Sequence, residues 1–220
     1  MDEKISLFKE LADLYENNGH SLYMVGGSVR DYILGLPLND MDLVTDATPE
    51  EEKKFLTNAD FTFAKYGSIK LCFKGHKFDI TTLRKESGYI DSRHPQEVVF
   101  TKSLKEDVTR RDFTINALYL SKDLKVIDYV NGKLDIEFKL LRMIGDPNTR
   151  LKEDPLRIIR AYRFCLDYQL QLDIELESAI TNNSDLLFKI RIEKIKEEIH
   201  KCHHKNELKS ILNDLGINNL

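Results

Sequence analysis

The sequence predicts a mixed α/β or α+β domain with a sheet of about five strands, followed by an all-helical domain. Two observations carry this prediction. Through the first hundred residues, short apolar runs typical of strands alternate with segments whose apolar residues recur at helical spacing. Beyond Gly145 only helical periodicity remains. We therefore place a first domain at residues 1–145 and a helical domain at residues 146–220.

The composition is that of a folded protein. The chain has 220 residues, 41% of them hydrophobic and 32% charged, with a formal net charge of −4. This is too apolar for a disordered chain, and the mild acidity excludes a generally basic nucleic-acid coat but allows a local basic groove. No apolar run reaches the ~20 residues of a membrane helix, and the acidic start is unlike a secretory signal. Three scattered cysteines predict a reducing, cytoplasmic location, with no membrane partner.

The N-terminal elements follow from local patterns. An amphipathic helix over residues 5–15 ends at Asn18-Gly19. A later helix has Thr48 as its N-cap, and Glu51 completes a capping box. Strands are expected at residues 22–25, 41–45, 61–65, 69–73 and 78–82, with a brief helix at 29–34 and a hairpin turn at 74–76.

Residues 84–97 break this regularity. Their length, their charges and their Gly and Pro content predict a mobile functional loop. Ser103 and Glu106 form another capping box. A Cys/His cluster at 200–204 is interpreted as a solvated helix end. The C-terminal helices are expected at residues 153–168, 175–182, 191–200 and 205–215.

The first chemical signal is a pair of carboxylates, Asp40 and Asp42, at the start of a predicted strand. Side chains at positions i and i+2 of a strand point to the same face, so the two carboxylates would lie side by side. Hard oxygen ligands at the edge of a sheet suit Mg²⁺, which binds through one or two carboxylates plus substrate phosphates. For an isolated pair, a turn followed by a solvated residue is the preferred interpretation.

The residues upstream favour the metal interpretation. Gly26, Gly27 and Ser28 lie between a strand and a short helix, where backbone N–H groups and a helix N-terminus can hold phosphate. Arg30 is one turn into that helix, within reach of a phosphate oxygen. The spacing lacks the G-x-G-x-x-G fingerprint, which argues against a dinucleotide-binding fold.

Motifs along the chain then occur in an order that identifies a family. The four are VGGSVRD (25–31) with NDMDLV (39–44), RRDFTINAL (110–118), DYVNGKLD (128–135) and EDPLRIIRAYRF (153–164). Together they resemble the head and neck of the bacterial CCA-adding enzymes and poly(A) polymerases, class II members of the polymerase-β-type nucleotidyltransferases. The resemblance covers about residues 20–170. It implies a polymerase-β-like head followed by a helical neck.

The resemblance also implies an activity. Members of this family add C and A to the 3′ end of tRNA without a nucleic-acid template, taking them from CTP and ATP and releasing pyrophosphate. Two Mg²⁺ ions held by Asp40 and Asp42 would bridge the triphosphate and the 3′-hydroxyl. Gly27, Arg30 and Arg111 would hold the nucleotide.

Two further acids join this scheme. Asp79, in FDITT, is expected on a strand next to the carboxylate pair. In the wider superfamily such a residue can activate the attacking 3′-hydroxyl as a general base, although a solvated strand residue is an equal alternative. Asp112, in the second motif, would orient nearby groups.

The fourth motif places Asp154, Arg157, Arg160 and Arg163 three residues apart along one predicted helix. A solvated charged face is the simplest interpretation. The resemblance implies instead that Asp154 and Arg157 pair with the edge of the incoming base, and that the other two arginines read or position it. A carboxylate only accepts and a guanidinium only donates, so C and A, which share an amino donor beside an acceptor, both fit this pair. G and U present a carbonyl where the carboxylate needs a donor.

The loop at 84–97 resembles the flexible loop of full CCA-adding enzymes, which predicts that the terminal A is added too. Familiar members are longer, with body and tail regions that clamp the tRNA, so the resemblance extends to the head and neck only. A poly(A) polymerase and a non-catalytic RNA- or nucleotide-binding module are the alternatives. The sequence leaves the oligomeric state open.

Overall fold

The computed structural model describes residues 2–38, 41–89 and 95–218. The helices are α1 (Asp2–Asn17), α2 (Gly27–Ile33), α3 (Pro49–Glu52), α4 (Leu104–Asp107), α5 (Gly132–Glu137), α6 (Pro147–Glu153), α7 (Leu156–Tyr168), α8 (Ile174–Asn182), α9 (Ile192–Lys201) and α10 (Lys205–Asp214). The strands are β1 (Leu22–Val25), β2 (Asp42–Thr45), β3 (Ala59–Asp60), β4 (Ser68–Phe73), β5 (His76–Thr82), β6 (Arg84–Tyr89), β7 (Pro95–Phe100), β8 (Tyr119–Leu120), β9 (Val126–Ile127), β10 (Leu140–Leu141) and β11 (Gln171–Leu172). Over the described ranges, none of the helices combines the length and the apolarity that a bilayer crossing requires.

The predicted mixed α/β class is confirmed. Seven strands form one sheet in the order β3-β4-β5-β2-β1-β8-β9, two more than the five or so expected. All of its pairings are antiparallel except β2 with β5, which are parallel. The extra strands are two-residue segments, too short to show alternation in the sequence.

Strands β4 and β5 show why this sheet has one apolar face. Ile69 and Ile80 are buried on one side, whereas Lys70 and Asp79 are exposed on the other. The two strands are joined by the predicted hairpin turn, whose Lys74 and Gly75 have positive φ angles of 49° and 81°. A two-residue turn of this kind has a twist that matches the twist of the strands and fixes their register.

Two predictions for this region are wrong. The strand expected at residues 61–65 is instead a turn followed by a 3₁₀ helix, because Asp60 Oδ1 accepts hydrogen bonds from Thr62 N (2.8 Å) and Thr62 Oγ1 (2.6 Å) and so ends β3. The loop expected at residues 84–97 begins and ends in strands β6 and β7, which pair with each other as a separate ribbon. Residues 90–94 lie outside the described residues.

The chain divides into two compact units. The first comprises Met1–Gly88, Gln96–Arg111 and Ile115–Lys133 and contains the seven-stranded sheet. The second comprises Tyr89–Pro95, Asp112–Thr114 and Leu134–Leu220 and contains helices α6 to α10. The division into a head at residues 1–145 and a neck at residues 146–220 stays a prediction.

The C-terminal half departs from the sequence predictions at three places. The helix expected at 153–168 is two helices, α6 and α7, interrupted at Asp154-Pro155. A short strand, β11, pairs in parallel with β10, so the segment beyond Gly145 is not purely helical. Cys202 is buried with its Sγ 3.4 Å from Asp167 Oδ1, so the interpretation of residues 200–204 as a solvated helix end is wrong for that residue.

Candidate active site

Two carboxylates from different strands lie next to each other on the exposed face of the sheet. Asp42 begins β2 and pairs in register with Asp79 of the parallel strand β5. Directly paired residues of neighbouring strands point to the same face, and both of these are exposed. Asp40 lies outside the described residues, so its pairing with Asp42 stays a prediction.

The turn before α2 supports the start of β2. Gly26 has φ 72° and ψ −137°, a conformation that side chains other than glycine rarely adopt. A Cβ at this position would lie 3.8 Å from Asp42 Oδ2. The Asp42 amide donates to Ser28 Oγ (3.1 Å), which ties the first turn of α2 to the carboxylate strand.

Arg30 of α2 is buried at 5% exposure. Its guanidinium donates to the side chain of Asn116 and, through Nε (3.1 Å) and Nη2 (3.0 Å), to Asp31 Oδ1. A Cβ on Gly27 would lie 3.2 Å from Arg30 Nη2, so the guanidinium lies close against the glycine backbone. The roles of Gly27 and Arg30 in holding a nucleotide stay predictions.

A cavity of about 530 Å³ adjoins the Asp42 and Asp79 carboxylates, and it is lined by residues of both faces of β4 and β5. Asp42 and Asp79 line it together with cationic side chains, and Lys70 Nζ lies 3.9 Å from Asp79 Oδ1. The lysines of its lining are Lys4, Lys70 and Lys77, and His76 also lines it. The cavity therefore brings acidic oxygens and positive charge close together, which suits a phosphate-bearing ligand and its metal ion.

The donor set at this face fits Mg²⁺. Carboxylate oxygens are the hard ligands that this ion prefers, and Asp42 presents them exposed at the start of β2, beside the carboxylate of Asp79. Within the described ranges, no group of three or more His, Cys, Asp or Glu side chains is arranged to hold a metal ion. Substrate phosphates would complete the coordination shell, as is usual for this ion.

Arg111 belongs to a second cluster in the first unit. Its Nε (3.0 Å) and Nη2 (2.8 Å) donate to Asp107 Oδ2, and Nε also contacts the Tyr119 hydroxyl at 3.2 Å. Burial and the neighbouring Asp107 act in opposite directions on this guanidinium, and the net effect raises the pKa of Arg111. Arg111 is therefore charged and held in one orientation.

Asp107 did not emerge from the sequence as a candidate, yet it is completely buried. Its burial acts to raise its pKa, but the guanidiniums of Arg111 and Arg110 outweigh that effect and hold the pKa well below the usual range. The sequence does contain a signal for this cluster. Asp107 precedes Arg110 by three residues and Arg111 by four, and residues at these spacings lie on the same side of a helical turn.

The predicted base-reading residues lie in the second unit. Asp154 is not on the helix, because Pro155 restricts the residue before it to extended backbone (φ −146°, ψ 95°). Asp154 Oδ1 accepts from the amide of Leu156 at the start of α7 (3.1 Å). Arg157 is buried, and its Nη1 donates to the Arg150 carbonyl (2.7 Å) and to Glu153 Oε2 (3.2 Å).

The remaining arginines of α7 are ion-paired, so the interpretation of this helix as a solvated charged face is wrong. Arg160 Nε donates to Asp112 Oδ2 (2.9 Å), and its Nη2 donates to the same oxygen. Burial acts to raise the pKa of Asp112, but Arg160 outweighs it and keeps the carboxyl ionised. Arg163 pairs with Glu198 (2.9 Å) and lies over the Phe164 ring.

Known proteins resemble this chain in sequence and in fold. The family model of the poly A polymerase head domain matches residues 22–142. The CCA-adding enzyme of Lactobacillus johnsonii is 43% identical over 183 residues, which are 83% of this chain and 46% of that protein. The crystal structure of the Bacillus stearothermophilus CCA-adding enzyme in complex with CTP gives a TM-score of 0.86 at 30% identity, covering 97% of this chain and 53% of that one.

A structure of a CCA-adding enzyme with ATP gives a TM-score of 0.78 at 25% identity. It covers 98% of this chain and 52% of the other. The chain therefore spans about half the length of the relatives that it matches.

Proposed function

Because this chain belongs to the poly(A) polymerase head-domain family, we propose that it adds C and A to the 3′ end of tRNA from CTP and ATP, without a nucleic-acid template. The observation that carries the proposal is the pair of exposed carboxylates, Asp42 and Asp79, held in register on neighbouring strands of the matched region. A module that only binds RNA has no need for two acids whose mutual repulsion must be offset by a cation. The relatives solved with CTP and with ATP support these two nucleotides as substrates.

Asp42, together with Asp40, would hold Mg²⁺ in this scheme. The ions would neutralise the charge that develops on the triphosphate and on the 3′-hydroxyl oxygen. Asp79 would accept the proton of that hydroxyl as its oxygen attacks the α-phosphorus. A new bond forms between the 3′ oxygen and the α-phosphorus, the bond from the α-phosphorus to the bridging oxygen breaks, and pyrophosphate leaves with the electron pair.

The arginines of the first unit would hold the nucleotide. Arg30 and Arg111 are both fixed by acceptors, so they would meet the phosphates with little loss of side-chain entropy. Gly27 would let the backbone approach the phosphates, because the glycine carries no side chain between them.

Asp154 and Arg157 of the second unit would select the base. The carboxylate would accept from the amino group that C and A share, and the guanidinium would donate to the neighbouring ring acceptor. The bond to the Leu156 amide and the burial of Arg157 would hold both groups in place between turnovers. Arg160 and Arg163 would position this helix and the base through their ion pairs.

Poly(A) polymerase activity is the second candidate, favoured by the description of the family model that matches residues 22–142. The two activities share the chemistry at the α-phosphorus. They differ in whether C is used and in how many residues are added. Cytoplasmic tRNA is the proposed partner in the first case.

The test uses three tRNA transcripts, ending before the CCA, after the first C and after the second C. Each is incubated with labelled CTP or ATP and Mg²⁺, and the products are separated at single-nucleotide resolution. Addition that stops at CCA supports the proposal, and long A tails indicate a poly(A) polymerase. No incorporation by the wild type, with Asp42→Ala as the matched blank, would indicate the non-catalytic module.

A further inference from the structure

One buried carboxylate in the first unit has no part in the scheme above. Asp107 is fully buried at the end of α4, and its two oxygens accept five hydrogen bonds. Oδ1 accepts from Arg110 Nε (2.8 Å) and from the Arg84 amide (3.2 Å). Oδ2 accepts from Arg111 Nε (3.0 Å), from Arg111 Nη2 (2.8 Å) and from the Tyr119 hydroxyl (2.8 Å).

Asp107 belongs to a cluster of five charged side chains. Arg84, Arg110 and Arg111 carry three positive charges, while Asp107 and Glu86 carry two negative ones. Glu86 Oε1 lies 2.8 Å from Arg84 Nη2 and 3.5 Å from Arg110 Nη1, so all five groups form one cluster.

The contacts with Asp107 and Tyr119 fix the orientation of the Arg111 guanidinium. Nε and Nη2 lie along one edge of the planar guanidinium, so two donors meeting one carboxylate oxygen fix the plane as well as the position of the group. The Tyr119 hydroxyl contacts the same Nε and the same carboxylate oxygen, and its ring lies 5.2 Å below the guanidinium carbon. The Arg111 guanidinium is therefore held along one edge by Asp107 and on one face by the Tyr119 ring.

We propose that Asp107 is the positioning residue of Arg111: it holds that guanidinium in the orientation that binds the triphosphate of the incoming nucleotide. The inference rests on the proposed function, in which Arg111 contacts the nucleotide. Asp107 itself is buried and touches no substrate, so it acts only through its neighbour. The backbone amide of Arg84, the first residue of the β6–β7 ribbon, donates to the other oxygen of the same carboxylate.

The experiment is a double-mutant cycle on nucleotide binding. Affinities of CTP, CMP and cytidine are measured by calorimetry for wild type, Asp107→Asn, Arg111→Ala and the double variant. Asp107→Asn should weaken CTP roughly 10-fold to 100-fold, the range of one lost hydrogen bond to a charged group, and should leave cytidine unchanged. In the Arg111→Ala background, the same change should have no further effect on CTP.

A matched control comes from a second buried acid of the same unit. Glu52 is also 0% exposed, and its carboxylate accepts from the Tyr15 hydroxyl rather than from a guanidinium. Glu52→Gln should leave the affinities of all three ligands unchanged. A milder variant, Tyr119→Phe, keeps the ring and loses the hydroxyl, and should weaken CTP roughly 2-fold to 10-fold.

The outcomes separate the two proposals. If wild type binds CTP and Asp107→Asn loses the same factor in both backgrounds, Asp107 has a structural role only and the inference is wrong. Should Asp107→Asn fail to fold, the Tyr119→Phe variant decides, and an unchanged CTP affinity overturns the inference. A wild type that binds neither CTP nor ATP overturns the proposed function and this inference with it.

Discussion

The acidic residues on the sheet and the arginines of α7 differ in how far their charged groups are exposed to solvent. Asp42 and Asp79 are exposed on the sheet face, where solvent and small ions reach them. Arg157 and Arg163 are largely buried, and each faces an acid of its own unit. The difference fits the two proposed roles, because a metal site has to be accessible to ions, whereas a group that discriminates between bases has to keep one geometry.

This contrast predicts that substitutions at the two places have different consequences. An exposed carboxylate contributes little to the free energy of unfolding, so its removal should affect activity alone. Removing a buried arginine takes one cationic partner from a buried acid, so it should affect stability as well.

The largest effect is expected for Asp42→Ala. Losing a ligand of the catalytic metal should lower nucleotide addition by about 1,000-fold or more, since the ion supplies several kcal/mol of transition-state stabilisation. The urea midpoint should stay within the error of wild type. Turnover with Mg²⁺ and urea denaturation measure the two quantities, and Glu50→Ala, an exposed acid on α3, serves as the control. Near-normal turnover of Asp42→Ala would remove the basis for the metal assignment.

A loss of stability is expected next, for Arg163→Leu. The variant leaves Glu198 and Asp167, both with side chains 2% exposed, without their arginine. The free energy of unfolding should fall by about 3 kcal/mol. Arg191→Leu, a matched change at an exposed position, should stay within about 0.5 kcal/mol of wild type in the same denaturation series. Equal effects of the two variants would mean that burial does not distinguish these arginines.

A change of base preference is expected for Asp154→Asn. The Asn carbonyl keeps the bond to the Leu156 amide, so α7 should still begin at the same place. Its amide group now donates where the carboxylate accepted, which suits the carbonyl of U or G. Discrimination between CTP and UTP should fall by about 1–3 kcal/mol, the value of one good base contact. Competition between labelled CTP and UTP measures it, and an unchanged ratio would exclude Asp154 from base selection.

The last effect concerns the pH dependence of stability and Glu52, and at any one pH step it is small. Burial raises the pKa of this carboxyl from 4.5 to about 8, although the hydrogen bond from Tyr15 acts in the other direction. Between these values the folded protein keeps a proton that the unfolded chain has lost, so stability falls as the pH rises. The slope contributed by Glu52 is at most about 1.4 kcal/mol per pH unit. Urea denaturation from pH 5 to pH 9 should show a flatter profile for Glu52→Gln, and parallel profiles would contradict the raised pKa.

The elements that the sequence predicts well are those with local signals. Strand β1 lies at Leu22–Val25 as expected, and the Thr48–Glu51 capping box forms at α3 with both reciprocal bonds. Strands β6 to β9 were missed because each depends on a partner elsewhere in the chain rather than on its own alternation. The break at Asp154-Pro155 was not predicted, because the three-residue spacing of the acid and the arginines favoured one continuous helix. Pro155 is the signal for the break, since proline is typical of a helix start.

For the candidate site, residue types were easier to predict than their partners. The sequence indicated Asp42, Asp79 and Arg111, and the structure adds the register that joins the first two and the acid that holds the third. Register between strands 37 residues apart and a buried acceptor are properties of packing, which no local pattern encodes. The family similarity could be predicted because each motif is a short continuous segment and the four motifs occur in the expected order along the chain.

The parallel pairing of β2 with β5 has a consequence for errors of strand register during folding. A slip of one residue along β5 would turn Asp79 toward the apolar side and bring Phe78 or Ile80 opposite Asp42, so the carboxylate pair would be lost as a unit. The two-residue turn at Lys74-Gly75 fixes the register of β5 against β4, so β4 would have to slip together with β5. Under the proposed function, a molecule assembled in the wrong register would therefore be inactive rather than error-prone, because it would lack the carboxylate pair altogether.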